Sequence, residues 1–216
     1  MANVIKRYSL VDQVHDQLRK DIVSLQLPLG SKVNVNELQE TLGVSCTPIR
    51  EAVNRLQQEG LVTYENKVGA RVLELNEHDV EEIHQLAMTL HCAAIRLAIK
   101  NGDREAIVKE LRQRLAEYRR AKTVEAEVTA VNCFLGTYYH NCGNRRLDEH
   151  MISLQGQQML LRYIFATCAE KRAADVAVFE EMQAQTEAGN AEGVCAVLEA
   201  YTQKAEPIEK AYLAKL

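Results

Sequence analysis

The chain has no tryptophan, only three phenylalanines, three prolines and ten glycines in 216 residues. So few breakers and bulky aromatics leave the balance with helices. No apolar run approaches the roughly 20 residues a membrane span needs, and the N-terminus lacks a signal-peptide core, so a cytoplasmic location is expected. Charge of one sign is missing too: 26 Lys and Arg stand against 30 Asp and Glu, a balance ordinary for a globular protein of one or two domains. Six cysteines, at 46, 92, 133, 142, 168 and 195, include no CxxC pair and read as reduced, mostly buried thiols rather than a disulfide framework. Cys46, near a predicted helix start, is the one candidate for redox activity. The sequence contains no Gly-rich phosphate loop, nucleophile elbow or HExxH, so no enzyme is expected.

What is present concentrates in residues 35–72, which read VNELQETLGVSCTPIREAVNRLQQEGLVTYENKVGARV. A short amphipathic helix over 35–42 meets Gly43, which can adopt the left-handed conformation that ends a helix. A second helix is expected from Thr47 and Pro48 to Gly60, with Thr47 as its cap and Pro48 at its first position. Ile49, Ala52, Val53 and Leu56 give it one buried face, and Arg50 and Arg55 fall outside that stripe. Apolar runs at 61–64 and 70–73 flank a polar tip at 65–69. Helix, turn, helix and small hairpin form the layout of a winged helix-turn-helix, a major-groove DNA reader. Residues 1–75 hold nine Lys/Arg and nine Asp/Glu. A basic surface must therefore come from uneven placement of Lys6, Arg7, Arg50, Arg55, Lys67 and Arg71.

The stretch LGVSCTPIREAVNRLQQEGLV at 42–62, followed by VGARV, resembles the GntR family of bacterial transcription regulators, over about residues 8–73. The resemblance implies DNA contacts from Thr47, Arg50, Arg55 and Gly69, with Lys67 and Arg71 reaching the backbone or minor groove. This chain departs from the family at two reading positions. Cys46 stands where a basic residue is common, and Asn36 where an arginine is frequent. An Arg–guanine contact is worth about 1–3 kcal/mol of discrimination, so these departures bear on operator preference.

Beyond residue 75 the pattern is helical throughout. Asn76 caps a helix to about Lys100, with Asp79 in capping-box position. Further helices are expected at about 104–121, 124–141, 145–169, 173–188 and 191–216, with Pro207 kinking or interrupting the last. Length, helix pattern and the fragments CGN (142–144) and EAGNAEG (187–193) resemble the FadR-like, or FCD, branch, which implies an antiparallel bundle that binds effector and dimerises. The expected architecture is thus mostly α: a winged helix-turn-helix over 1–75 and an all-helical bundle over 76–216.

FCD domains often hold a divalent metal on one Asp and three His. Aligned on Cys142 to Asn144, two of those positions are Val131 and Leu135; aligned on Gly189, the others are Phe179 and Tyr201. None offers an imidazole or carboxylate, so no metal and no cofactor is expected. Two readings follow: a pocket for an apolar or amphipathic effector, or a cavity filled in as plain core. His91 and Arg162 are among the polar groups available to orient a ligand. His84 and His91, seven residues apart, share a helix face, and His140 and His150 flank a turn, without a zinc spacing.

The function expected is a homodimeric DNA-binding transcription regulator that answers to a small molecule and binds a double-stranded operator. The alternative is a helical ligand-binding or protein-interaction module with a weakened DNA reader, motivated by Asn36 and Cys46.

Overall fold

The computed structural model describes residues 8–66, 69–168 and 172–216, with the backbone alone for 172–174. The chain divides into two compact units, Met1–Glu74 and Leu75–Leu216.

The first unit holds α1 (Leu10–Val23), α2 (Val35–Leu42), α3 (Cys46–Gln58) and the strands β1 (Val62–Glu65) and β2 (Gly69–Val72). Helix α1 begins at a reciprocal cap: the Ser9 hydroxyl accepts from the Asp12 amide, and the Asp12 carboxylate accepts from the Ser9 amide. Its apolar positions Val14, Leu18 and Ile22 recur at helical spacing and are buried. Gly43 ends α2 at φ 65°, its amide donating to the Gln39 carbonyl at 3.0 Å. That left-handed residue turns the chain sharply into α3.

Helix α3 starts earlier than the sequence pattern implied. Ser45 is its N-cap, in extended backbone but without a side-chain cap bond, and Cys46 and Thr47 lie in the first turn. Pro48 sits third rather than first. It costs no hydrogen bond there, because amides of the first turn lack intrahelical partners anyway. The helix ends at Gln58, two residues short of Gly60.

β1 and β2 pair antiparallel in the register Val62↔Val72 to Glu65↔Gly69. The segment before α2 extends this ribbon. Val33 donates to the Ala70 carbonyl and Val72 to the Ser31 carbonyl, both at 2.9 Å. Ile49, Ala52, Val53, Leu56 and Leu61 have no accessible surface, and α3 packs on α1, α2 and β1 around them.

The second unit contains α4 (Glu77–Asn101), α5 (Arg104–Arg120), α6 (Val124–Asn141), α7 (Arg145–Cys168), α8 (Arg172–Glu187) and α9 (Ala191–Leu213). Helix α4 packs against α6, α7 and α9; α5 packs against α6 and α8. At the centre Phe179 lies 5.0 Å from Phe134, 5.3 Å from Tyr118 and 5.9 Å from Tyr201, centroid to centroid. The tilted geometry suits aromatic quadrupoles. Asn76 and Asp79 form the expected capping box of α4. Among the described residues, no helix is long and apolar enough to cross a membrane.

Pro207 lies inside α9 without interrupting it, so of the two expected outcomes, a kink or an interruption, the second does not occur. Pro207 and Gln203 are both exposed, so the Gln203 carbonyl, deprived of an amide four residues on, can turn to water. Pro207→Ala should therefore restore that bond and stabilise the chain by about 1–3 kcal/mol. Thermal unfolding should rise by several degrees; an unchanged or lower Tm would contradict this account of the helix.

Candidate nucleic-acid interface and bundle cavity

The buried stripe of α3 fixes which residues face out. Asn36 on α2 and Thr47, Arg50, Asn54 and Arg55 on α3 are exposed, and Cys46 is partly so. Cys46, Thr47 and Arg50 lie near the N-terminus of α3, where unpaired amides favour an anion, whereas Arg55 lies in its last turn. The six cationic candidates are not equivalent. Arg50 makes no hydrogen bond or ion pair among the described residues. Arg55 is engaged by Asp12 of α1 at 2.7 Å. Arg71 donates to the Gly30 carbonyl at 2.6 Å and lies 3.2 Å from the Glu65 carboxylate, so it braces the ribbon from within. Lys67, like Lys6 and Arg7, lies outside the described residues. Gly69 opens β2 at φ 100°, with nothing near the position a Cβ would occupy.

Polar ties hold α3 in place. Tyr64 of β1 donates to the Asn54 side chain at 3.2 Å, joining hairpin to helix. At the other end, Glu59 caps α3 and receives α1: its carboxylate lies 2.8 Å from His15 Nε2 and 3.1 Å from Arg19 Nε. The Glu59 hydrogen bond raises the His15 pKa above its ordinary value, against the opposing pull of burial; Asp16, 3.1 Å from Nδ1, adds to the rise. The Ser9 hydroxyl and amide, then Arg55, hold the Asp12 carboxyl well below the usual range. Cys46 donates from its thiol to Gln39 Oε1 at 2.8 Å, which links the first turn of α3 to α2.

In the second unit, Val131, Leu135, Phe179 and Tyr201, together with His91 and Arg162, all line one cavity. It is small, about 30 Å³, room for one or two waters. Its walls are not uniformly apolar. Arg162 donates to Asn132 Oδ1 and to Gln158 Oε1, both at 3.1 Å, and lies 3.5 Å from His91 Nε2. Burial pushes its pKa down, against the charges and dipoles of Tyr201, Tyr139 and Glu209. His91 takes a 3.0 Å hydrogen bond with Tyr139, and burial, helped by Arg162 and His84, lowers its pKa to about 3. It is neutral at any physiological pH. Across the cavity, His84 Nε2 lies 2.5 Å from Glu209, which is almost wholly buried.

The profile of the bacterial regulatory proteins of the gntR family matches residues 10–72. An uncharacterized HTH-type transcriptional regulator, YdhC of Bacillus subtilis (strain 168), is 30% identical over 158 residues, 70% of each chain. The chain belongs to the GntR family. The HTH-type transcriptional regulator McbR of Escherichia coli (strain K12) is 27% identical over 138 residues, covering 63% of this chain and 62% of McbR. The solved structure of E. coli McbR/YncC superposes with a TM-score of 0.78 at 23% identity, over 94% of this chain and 98% of that one. A GntR structure from Rhodococcus sp. RHA1 gives 0.71 at 22% identity, over 92% and 96%. These two likenesses concern the fold. This GntR-family chain is accordingly a DNA-binding transcription regulator and not an enzyme.

The metal that the FCD resemblance implies does not fit the side chains present. Val131, Leu135 and Phe179 have no donor atom, and burial pushes the Tyr201 phenol further up from a range in which it is already a poor ligand. His91, which lines the same cavity, is already hydrogen-bonded to Tyr139 and lies beside the Arg162 guanidinium, which would repel a cation. Among the described residues, no group of three or more His, Cys, Asp or Glu is placed to hold a metal ion. Spacing along the chain had paired His84 with His91, and both line the cavity, but it could not show Glu209 reaching His84 from α9. Nor could it show Asp12 engaging Arg55. Both acids lie at helix positions indistinguishable in sequence from solvated ones.

The His15–Glu59 contact makes the first unit sensitive to pH. Because the folded-state pKa of His15 is raised, its contribution is complete below the unfolded value of about 6.5 and disappears as pH rises through the folded value. The urea midpoint of the full chain should then exceed that of His15→Gln most at pH 6 and progressively less towards pH 9. A difference that stays constant over that range would rule out the linkage.

Proposed function

We propose that this GntR-family regulator acts in the cytoplasm as a homodimer. The Met1–Glu74 unit of each protomer would read one operator half-site through α3. The Leu75–Leu216 bundle, of the FCD type, would dimerise and take a small-molecule effector that alters the spacing of the two readers. The observation that carries the reading role is the isolation of Arg50 on the exposed face of α3. An arginine without a protein partner, two positions past the first-turn Pro48, is free to meet a base edge or phosphate at no cost in broken contacts. Thr47 and Asn36 flank it. Arg55 joins only by releasing Asp12, and Arg71 by releasing Gly30 and Glu65, which assigns these two a smaller share. The operator itself follows from fragments that the protein selects out of its source genome.

Arg50→Ala should weaken binding to a selected fragment by ten-fold or more, in line with about 1–3 kcal/mol for a good arginine–base contact, with helical content unchanged. Unaltered affinity at moderate salt would remove Arg50 from the interface. Cys46→Arg restores the basic residue common in the family at a partly exposed first-turn position. It should tighten binding and steepen the slope of log K against log salt by about 0.9, one additional phosphate. A variant whose salt slope is unchanged would show that position 46 does not face DNA.

A further inference from the structure

Opposite its buried stripe, α3 carries an outward ridge. Thr47, Glu51, Asn54 and Gln58 recur at helical spacing, and all are exposed. Arg50 borders the ridge, one turn before Asn54. Among the described residues, Asn54 is the ridge residue whose side chain another element holds. Tyr64 of β1 donates its hydroxyl to Asn54 Oδ1 at 3.2 Å, although Tyr64 is itself 49% exposed. Asn54 Oδ1 keeps one lone pair, and both N–H groups of Nδ2 are without a partner among the described residues. A hydrogen bond between two exposed side chains replaces bonds to water and adds little stability. It does fix which way the amide faces.

We infer that Asn54 reads an adenine in the major groove, with Tyr64 as the residue that positions its amide. The inference rests on the reading of α3 as the helix that enters the groove, and it names one base of the operator half-site. Adenine is the base whose major-groove edge sets an acceptor, N7, beside a donor, the N6 amino group. The free lone pair and N–H groups of Asn54 answer those two together. Guanine sets two acceptors there, N7 and O6, so the Asn54 oxygen would meet one of them with no proton between. Turned over, the amide would face adenine donor to donor and acceptor to acceptor; the Tyr64 hydroxyl holds it in the matching sense. Gln58 has the same amide chemistry, but it ends α3 and has no orienting partner among the described residues. Arg50 and Asn54 stand about 6 Å apart along the helix axis, at about 1.5 Å per residue. Stacked bases rise about 3.4 Å, so the two side chains reach base pairs about two steps apart.

The test uses the full chain and a duplex selected from its source genome, with each base pair of one half-site varied in turn. The parent should prefer one adenine about ten-fold over the other bases, about two steps from the position that Arg50→Ala affects. Asn54→Ala should erase that preference and leave the other positions as they were. Asn54→Asp keeps an oxygen for Tyr64 but loses the N–H groups. It should exchange the adenine preference for cytosine, whose N4 amino group donates to a carboxylate. Tyr64→Phe removes one oxygen atom and should lower the adenine preference about three-fold. It should leave the affinity for random-sequence duplex, and its salt dependence, unchanged. A bond that only ties hairpin to helix would behave otherwise: Asn54→Asp would be silent, and Tyr64→Phe would weaken every sequence alike. Either of those results overturns the inference, as does a position lost in Asn54→Ala that is not an adenine. Asn54 variants that read like the parent while Arg50→Ala loses a base leave α3 in the groove and remove Asn54 from it. A profile unchanged in every variant, Arg50→Ala included, removes the reading by α3 itself.

Discussion

The reading surface depends on the burial of one face of α3. Ile49, Ala52, Val53 and Leu56 give up all their accessible area to α1, α2 and the hairpin, worth about 1.5–3 kcal/mol for each large side chain. That burial leaves the helix no freedom to rotate about its axis. Arg50 must point outward because its neighbours at 49, 52 and 53 point inward. The turn at Gly43, the ribbon that adds residues 31–33 to the hairpin, and the His15–Glu59–Arg19 cluster at the far end all serve the same constraint, each fastening a different part of α3. A GntR-family reader needs its recognition helix presented rigidly, because a hydrogen bond to a base edge tolerates only a few tenths of an ångström of misplacement.

The bundle solves a different problem. Its aromatic centre around Phe179 is ordinary core, and the four positions at which related domains are expected to carry metal ligands have become part of it. Losing ligands to apolar side chains would be complete replacement if the surroundings had also become apolar. They have not. Arg162 remains, neutral side chains solvate it, and a neutral histidine stands beside it. A buried ion without its partner is destabilising by several kcal/mol in general.

Much of this was legible along the chain because it depends on periodicity and on turn chemistry. The α2 and α6 boundaries follow from a helical stripe bounded by Asn34 and Gly43 in one case and by Thr123 and Cys142–Gly143 in the other. The capping box at Asn76 and Asp79 involves residues three apart. Helix α1 carried a comparable signal, a Ser9–Asp12 box ahead of Val14, Leu18 and Ile22, and could have been placed by the same rule. The start of α3 was not legible, because Ser45, Thr47 and Pro48 are all good residues for a helix N-terminus and no side-chain bond distinguishes among them. Pro207 left a kink and an interruption both open for a related reason: the effect of a proline depends on whether water can reach the orphaned carbonyl, which is a matter of exposure.

The sequence by itself determined the winged reader, the six helices that follow it and the family, because each of these depends on residues close in the chain. Only the tertiary structure decided which charges are free and which are spent. Arg50 and Arg55 are alike in sequence, yet Asp12, 43 residues before Arg55, engages one and leaves the other. His84 meets Glu209 across 125 residues, and Arg162 meets Asn132 and His91 from two other helices. The physical reason is range. Helix periodicity is set within a turn or two, whereas the energy of a charge is set by whatever the fold brings within a few ångströms of it.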